Sequence, residues 1–321
     1  MFNWEKLGRV FNPLNISGVD WLDTFAQAPS VLIFPGFVRV YFSCRPKADS
    51  NGQYISYSAY VDLNRENLFD IVGLAKSPIL SLGTLGTFDE FGTYPVSVIR
   101  ADEKVIAYYG GWTRCESVPF NVAIGCAISN DDGVTFEKIG SGPILSYSAN
   151  EPFILSGPKI RRFKDQWVLF YIAGKKWIPN DGRPEPVYRI RMATSLDGLN
   201  WLKIDEDIIP SRIEVDECQA SPDVFYYNGG YHMFFCYRSS LNYRGKEGGY
   251  RIGYAYSTDM IKWIRDDSKA GIEISSDAED WDSEMISYPH VFELDGSIYM
   301  FYLGNHVGKY GFGLAKLKGT L

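Results

Sequence analysis

Histidine occurs only three times and cysteine five times in 321 residues. Cys44, Cys115, Cys126, Cys218 and Cys236 are odd in number and contain no CxxC pair, so they suggest neither a zinc site nor a disulfide framework. They read as small buried hydrophobes. No apolar run approaches the roughly 18 residues of a membrane helix, so no membrane partner is expected. The opening MFNWEKLGRV is polar and charged where a secretory leader would be apolar, which predicts a cytoplasmic protein. In that compartment the sequon Asn15-Ile16-Ser17 is a chance match. Lys and Arg number 32 against 39 Asp and Glu, for a net charge of −7, and never gather into a long run. A phosphate-backbone footprint is therefore missing and no nucleic-acid partner is expected.

What the chain does have is 45% hydrophobic residues, 16% aromatics, and 31 glycines against 16 prolines. That balance suits many short strands joined by tight turns. Five segments share one pattern, each headed by a proline: Pro29, Pro95, Pro158, Pro222 and Pro289, spaced 63 to 67 residues apart. About a dozen residues after each comes an aromatic pair: Tyr41-Phe42, Tyr108-Tyr109, Phe170-Tyr171, Phe234-Phe235 and Phe301-Tyr302. Each unit thus opens with strand, turn, strand. A second strand pair follows, as in NVAIGCAISNDDGVTFEKI, YRIRMATSLDGLNWLKI and YRIGYAYSTDMIKWIRD. Four strands repeated five times, with no helical stretch of note, predict an all-β, five-bladed β-propeller with four antiparallel strands per blade. The last unit ends early, so the N-terminal segment up to about Val10 is expected to complete blade five. That closure makes 1–321 a single predicted domain.

These Pro-headed strands, the turn Ser195-Leu196-Asp197-Gly198-Leu199-Asn200-Trp201 with its variant Ser257 to Trp263, and the final YMFYLGNHVGKYGFGLA resemble the five-bladed glycoside hydrolase superfamily containing families 32, 43, 68 and 130. Together with WDSEMISYPH, the last blade is similar to glycosylases associated with bacterial surface-polysaccharide loci. The resemblance implies a saccharide-active enzyme. Its usual family-43 constellation is missing, because Ala28, Gly157 and Ala220 stand where that family carries carboxylates. Asp216-Glu217-Cys218 resembles the Glu-Cys acid/base motif of family 32, with three residues intervening before the proline, and Trp21-Leu22-Asp23 loosely resembles its nucleophile segment. The stretch Ser129 to Phe136 resembles the Asp box of sialidases, a structural turn found in six-bladed proteins.

Propeller geometry selects candidates without the family. Loops before each inner strand and after each second strand surround the axial funnel. Before the prolines stand Asp23, Asp89 and Glu90, Glu151, Asp216 and Glu217, and Asp282 and Glu284. After the second strands stand Arg45, Trp112, Lys175, Trp177, Arg238, Asn305 and His306. Glycosidic cleavage uses one carboxyl as acid and another as nucleophile or base, about 5.5 Å apart for retention and about 6.5–9.5 Å for inversion. Glu217, Glu284, Asp23 and Glu90 are therefore the expected catalytic groups. Glu151, Arg45, Trp112, Lys175, Trp177, Arg238, Asn305 and His306 are expected to bind substrate, through indole stacking and cation contacts to an anionic group.

Three alternatives stay open: a hydrolase or transglycosylase, a phosphorylase with one carboxyl and a phosphate site from Arg45, Lys175 and Arg238, and a non-catalytic carbohydrate-binding propeller. The expected partner is a small saccharide or sugar conjugate. No cofactor, resident metal or particular oligomeric state is implied. His290 would face the central channel, where some family members hold an ion through histidine. His232 reads as a strand residue, and Trp201 and Trp263 as packing between blades.

Overall fold

The computed structural model describes residues 1–319 as five antiparallel sheets of four strands each, arranged as a propeller. From axis to rim, blade one comprises Thr24–Ile33, Phe37–Arg45, Tyr57–Asn64 and Ile71–Leu74. Blade two comprises Thr93–Ala101, Lys104–Arg114, Phe120–Ser129 and Glu137–Lys138. Blade three follows with Leu155–Phe163, Gln166–Ile178, Glu185–Ser195 and Leu202–Ile204, and blade four with Cys218–Tyr227, Gly230–Arg238, Arg251–Ser257 and Ile264–Arg265. Blade five has Ser287–Leu294, Ser297–Leu303 and Phe312–Leu317, and its rim strand is the N-terminal Trp4–Phe11. Trp4 pairs with Leu317 and Phe11 with Phe312, so the two ends of the described chain close the ring together.

Proline heads each inner strand for a physical reason. Every one of these strands has a register shift at that point, between Gln27 and Ser30, Thr93 and Val96, Ser156 and Lys159, Ala220 and Asp223, and Ser287 and His290. Proline offers no N–H to a ladder and is accommodated at a bulge. Ala28, Gly157, Ser221 and Tyr288, each directly before its proline, have φ between 52° and 59°; in blade two the Tyr94–Pro95 bond is cis instead. The bulges bend the strand tops and set the floor of the funnel.

The aromatic pairs are the core of each blade, all of them at most 1% exposed. Burying one such ring is worth about 1.5–3 kcal/mol. Because neighbouring strand residues face opposite ways, the two members do different things. The first faces the next blade. The Tyr41 hydroxyl donates to Gly133 O at 2.9 Å and that of Tyr108 to Gly198 O at 2.8 Å, while Phe170 meets Trp263 edge-on and Tyr108 meets Trp201 edge-on. Gly133 and Gly198 sit at positive φ, and a Cβ there would strike the tyrosine hydroxyl, so glycine is required twice over. Their turns are self-contained: the Ser195 hydroxyl accepts from Gly198 N, and the Asp197 carboxylate accepts from Leu199 N and Asn200 N, which holds its pKa well below the usual carboxylate range.

Around the axis, inner strands are tied blade to blade. Ser30 Oγ accepts from Val98 N, Ser97 Oγ from Ile160 N, Asp223 Oδ2 from Val291 N and His290 Nε2 from Val31 N. Arg161 Nε closes the remaining gap by donating to Val224 O at 2.9 Å.

Candidate active site

One carboxylate five to seven residues before the proline turns inward in each of blades two to five. Asp89 accepts from the Tyr109 hydroxyl at 2.9 Å and pairs with Lys138 at 2.5 Å. Glu151 accepts from Tyr171 at 2.7 Å and pairs with Arg191 and Lys203. Asp282 accepts from Tyr302 at 3.0 Å and pairs with Lys6 at 2.7 Å. In blade four the second aromatic is Phe235, which has no hydroxyl, and Arg265 takes over: its Nη1 donates to Glu217 Oε1 at 2.6 Å while its guanidinium packs over the Phe235 ring. Gln219 and the backbone N–H groups of Arg212 and Ile213 complete the shell of Glu217. Burial opposes the charge on Glu217, but these donors and Arg265 outweigh it and hold its pKa below the ordinary glutamate value. In all four blades the cation comes from the rim strand, so each acid clamps rim to core.

None of Glu217, Glu284, Asp23, Glu90 or Glu151 lines the axial funnel. Glu90 Oε2 accepts from Gly86 N at 2.9 Å and so stiffens its own loop. The Asp23 backbone N–H donates to Arg45 O, and the Glu284 carbonyl accepts from Arg251. Both side chains are half-buried off the funnel. Lys175 pairs with Asp207 on the outer surface, and Asn305 Oδ1 accepts from Glu284 N and Met285 N, bracing the loop behind the wall. Trp177 packs edge-on against Phe120, one layer back from the lining.

Arg45, Trp112, Arg238 and His306 do line the funnel, which encloses about 890 Å³ and draws residues from all five blades. Its floor is made of the bulge residues, including Tyr94, Gly157, Ser221 and Tyr288, and its walls are the loops between second and third strands. Gly157 and Ala220, two of the three places where family 43 would carry acids, are here part of the lining. Trp112 packs at a tilt against Phe120, ring centres 4.3 Å apart, and its Nε1 donates to Tyr94 O. The Arg45 guanidinium lies 4.5 Å from the Phe25 ring centre and donates to Ser56 Oγ at 3.3 Å.

Two carboxylates remain on this wall, the exposed Glu116 and the buried Glu185. Glu185 opens the third strand of blade three, fixed between Pro184 and Pro186. Its Oε2 accepts from the Tyr243 hydroxyl and its Oε1 from Arg244 Nη2, both at 2.9 Å. Burial, opposed by Arg238 and reinforced by Glu185, raises the Tyr243 pKa, so the phenol stays protonated and acts as donor.

The central channel below is filled by side chains. His290 Nδ1 lies 3.3 Å from both Asp223 Oδ2 and Lys159 Nζ, and Lys159 also donates to Pro29 O. Burial and the neighbouring Arg161 hold Lys159 well below its ordinary pKa. His232 lies off the axis, with Nδ1 2.8 Å from the Tyr254 hydroxyl.

No protein-family model matches the chain. Two proteins of Mycobacterium tuberculosis, the uncharacterized proteins Rv1502 and MT1551, are each 34% identical over 317 residues, spanning 98% of this chain and 99% of theirs. The chain belongs to their family. Among solved structures, a glycoside hydrolase superposes with a TM-score of 0.76 at 18% identity, covering 98% of this chain and 92% of that one. A member of the GH130 mannoside phosphorylase family, in work on hydrolases of β-1,2 mannosidic linkages in Candida mannan, gives 0.72 at 14%, covering 98% and 93%. The Bombyx mori GH32 β-fructofuranosidase BmSUC1 gives 0.64 at 15%, covering 91% and 60%. The chain therefore has the five-bladed fold of these glycoside-active proteins. Among the described residues no helix is long and apolar enough to cross a membrane.

The residues that sequence reasoning passed over are Glu185, Tyr243, Arg244, Tyr188 and Tyr250. All lie in the loops between second and third strands or on the first residues of the third strands. The Pro184-Glu185-Pro186 triplet was the available signal, since it pins one acid at a strand entrance beside the axis.

Proposed function

We propose that the protein is a glycoside-active enzyme that binds a small or activated saccharide in the axial funnel and cleaves it at the anomeric carbon. The observation that carries this reading is Glu185, the buried one of the two carboxylates on a funnel wall rich in aromatic faces and cations. In hydrolysis the C–O bond to the leaving group breaks, its oxygen takes a proton, and a water oxygen bonds to the anomeric carbon after losing one. Glu185 is placed to exchange that proton, with Tyr243 and Arg244 fixing its orientation. Trp112 would stack on the sugar ring, and Arg45, Arg238 and His306 would meet its polar groups. The cationic wall also suits phosphorolysis, in which a phosphate oxygen replaces that of water.

A second reading, a sugar-binding propeller without catalysis, is favoured by the non-acidic Ala28, Gly157 and Ala220. The two separate in one assay, the release of reducing sugar or sugar phosphate from a panel of oligosaccharides and nucleotide sugars, with and without phosphate. The enzyme reading predicts turnover that falls at least about 100-fold in Glu185→Gln, with sugar binding retained. Saturable sugar binding with no cleavage by the native protein would favour the second reading.

A further inference from the structure

Resting on the funnel as the saccharide site, the charges on its wall point to the class of saccharide. Six cationic side chains line it, Arg45, Arg114, Arg183, Arg238, Arg244 and Lys309, against two carboxylates, in a chain whose net charge is −7. Arg114 is spoken for by Asp49 and Arg244 by Glu185. Among the described residues the other four have no acidic partner within 4.0 Å.

Arg238 is the most telling of the four. It is 2% exposed, and each partner of its guanidinium is neutral. Nη1 donates to the carbonyls of Ser239 and Ser240, Nε to the Tyr188 and Tyr250 hydroxyls, and Nη2 to Tyr188, while the group lies 3.6 Å from the Tyr243 ring centre. An arginine stays protonated in any protein setting, and a buried charge without a counter-charge is costly. Two donors are also left over. A guanidinium has five N–H groups, and one on Nη2 has no acceptor here. The Tyr188 and Tyr250 hydroxyls, 2.7 Å apart, share one proton between them, which leaves the other phenolic proton without an acceptor among the described residues. Burial keeps both phenols neutral.

We propose that the saccharide taken by this funnel carries an oxyanion, a phosphoryl or carboxylate group, and that this group sits on Arg238 with the spare Tyr188/Tyr250 hydroxyl proton. Arg238 supplies the charge and the phenols supply direction, while Arg45, Arg183 and Lys309 add long-range attraction at the mouth.

The test is calorimetric titration of the full-length protein with glucose 6-phosphate, glucuronate, inorganic phosphate and glucose. Comparison variants are Arg238→Gln and, in case that one fails to fold, Tyr250→Phe. At least one of the two anionic sugars is expected to bind about tenfold or more tighter than glucose, with that advantage lost in folded Arg238→Gln, reduced several-fold in Tyr250→Phe, and weakened by added salt. Inorganic phosphate is expected to compete with the anionic sugar. Equal binding of glucose and both anionic sugars would overturn the proposal, as would no binding by either anionic sugar, an unchanged advantage in both variants, or phosphate and the anionic sugar binding together without competition. In the turnover assay, an anionic oligosaccharide or nucleotide sugar that binds but is never cleaved would leave this proposal standing and remove the enzyme reading. A neutral oligosaccharide that binds better than its anionic counterpart and is cleaved would do the reverse.

Discussion

Two rings of charge encircle the propeller axis, and they have opposite characters. The outer ring is acidic, Asp89, Glu151, Glu217 and Asp282, and each of its carboxylates is neutralised by a lysine or arginine from the rim strand of its own blade. The inner ring is cationic, and Arg45, Arg183, Arg238 and Lys309 have no such partner among the described residues. Both rings are polar loops beside inner strands, so sequence position alone does not tell them apart. The state of the partner does. A buried charge that has its counter-ion contributes to the architecture, whereas Arg238, buried without one, is where the proposed anion would sit.

The largest effect is expected at Glu217. Its removal in Glu217→Ala takes one of the two carboxylates paired with the fully buried Arg265, leaving Asp267, and strips Gln219 and two backbone N–H groups of their acceptor, so the expected loss is about 3 kcal/mol of unfolding free energy by denaturant titration. A loss below about 1 kcal/mol would return Glu217 to the candidates for chemistry. In blade three, Tyr171→Phe deletes one donor to Glu151 and should cost about 1.5 kcal/mol, read as a lower denaturant midpoint at unchanged slope.

The acid limb of the stability curve sharpens the same point. The folded-state pKa of Glu217 lies below its unfolded value of about 4.3, so its contribution is fully present above that pH and is lost as pH falls through the folded value. Native protein should therefore lose stability more steeply below about pH 4.3 than Glu217→Ala does, and parallel curves would contradict the brace. The smallest effect belongs to the inner ring. Arg45 has no acidic partner, so Arg45→Gln is expected to change stability by no more than about 0.5 kcal/mol while weakening ligand binding.

Much of the fold was legible because its signals are local. Proline at a bulge, an aromatic pair one strand later and the Ser-x-Asp turn each follow from short-range geometry, and their regular spacing gives the blade count. Loop membership was legible too, which is why the sequence places Arg45, Trp112, Arg238 and His306 at the funnel they line. Radial depth was not. Whether Glu217 faces the axis or the rim depends on Arg265, 48 residues further on in the next-but-two strand. The cue existed as a repeat, a lysine or arginine on each rim strand from blade two onward and a tyrosine as second aromatic wherever the acid needs a hydroxyl, but it is visible only after strands are paired. Glu185 was missed because it opens a third strand, beyond the loop positions inspected before the prolines and just after the aromatic pairs.

The most direct measurement is a crystal structure of the protein with glucose 6-phosphate soaked into the funnel. The account predicts a phosphoryl group within hydrogen-bond distance of Arg238 and the Tyr188/Tyr250 hydroxyls, the sugar ring between Trp112 and Glu185, and the four outer acids still clamped to their rim cations. Sugar bound away from Arg238, with Glu217 released from Arg265 to contact it, would contradict it.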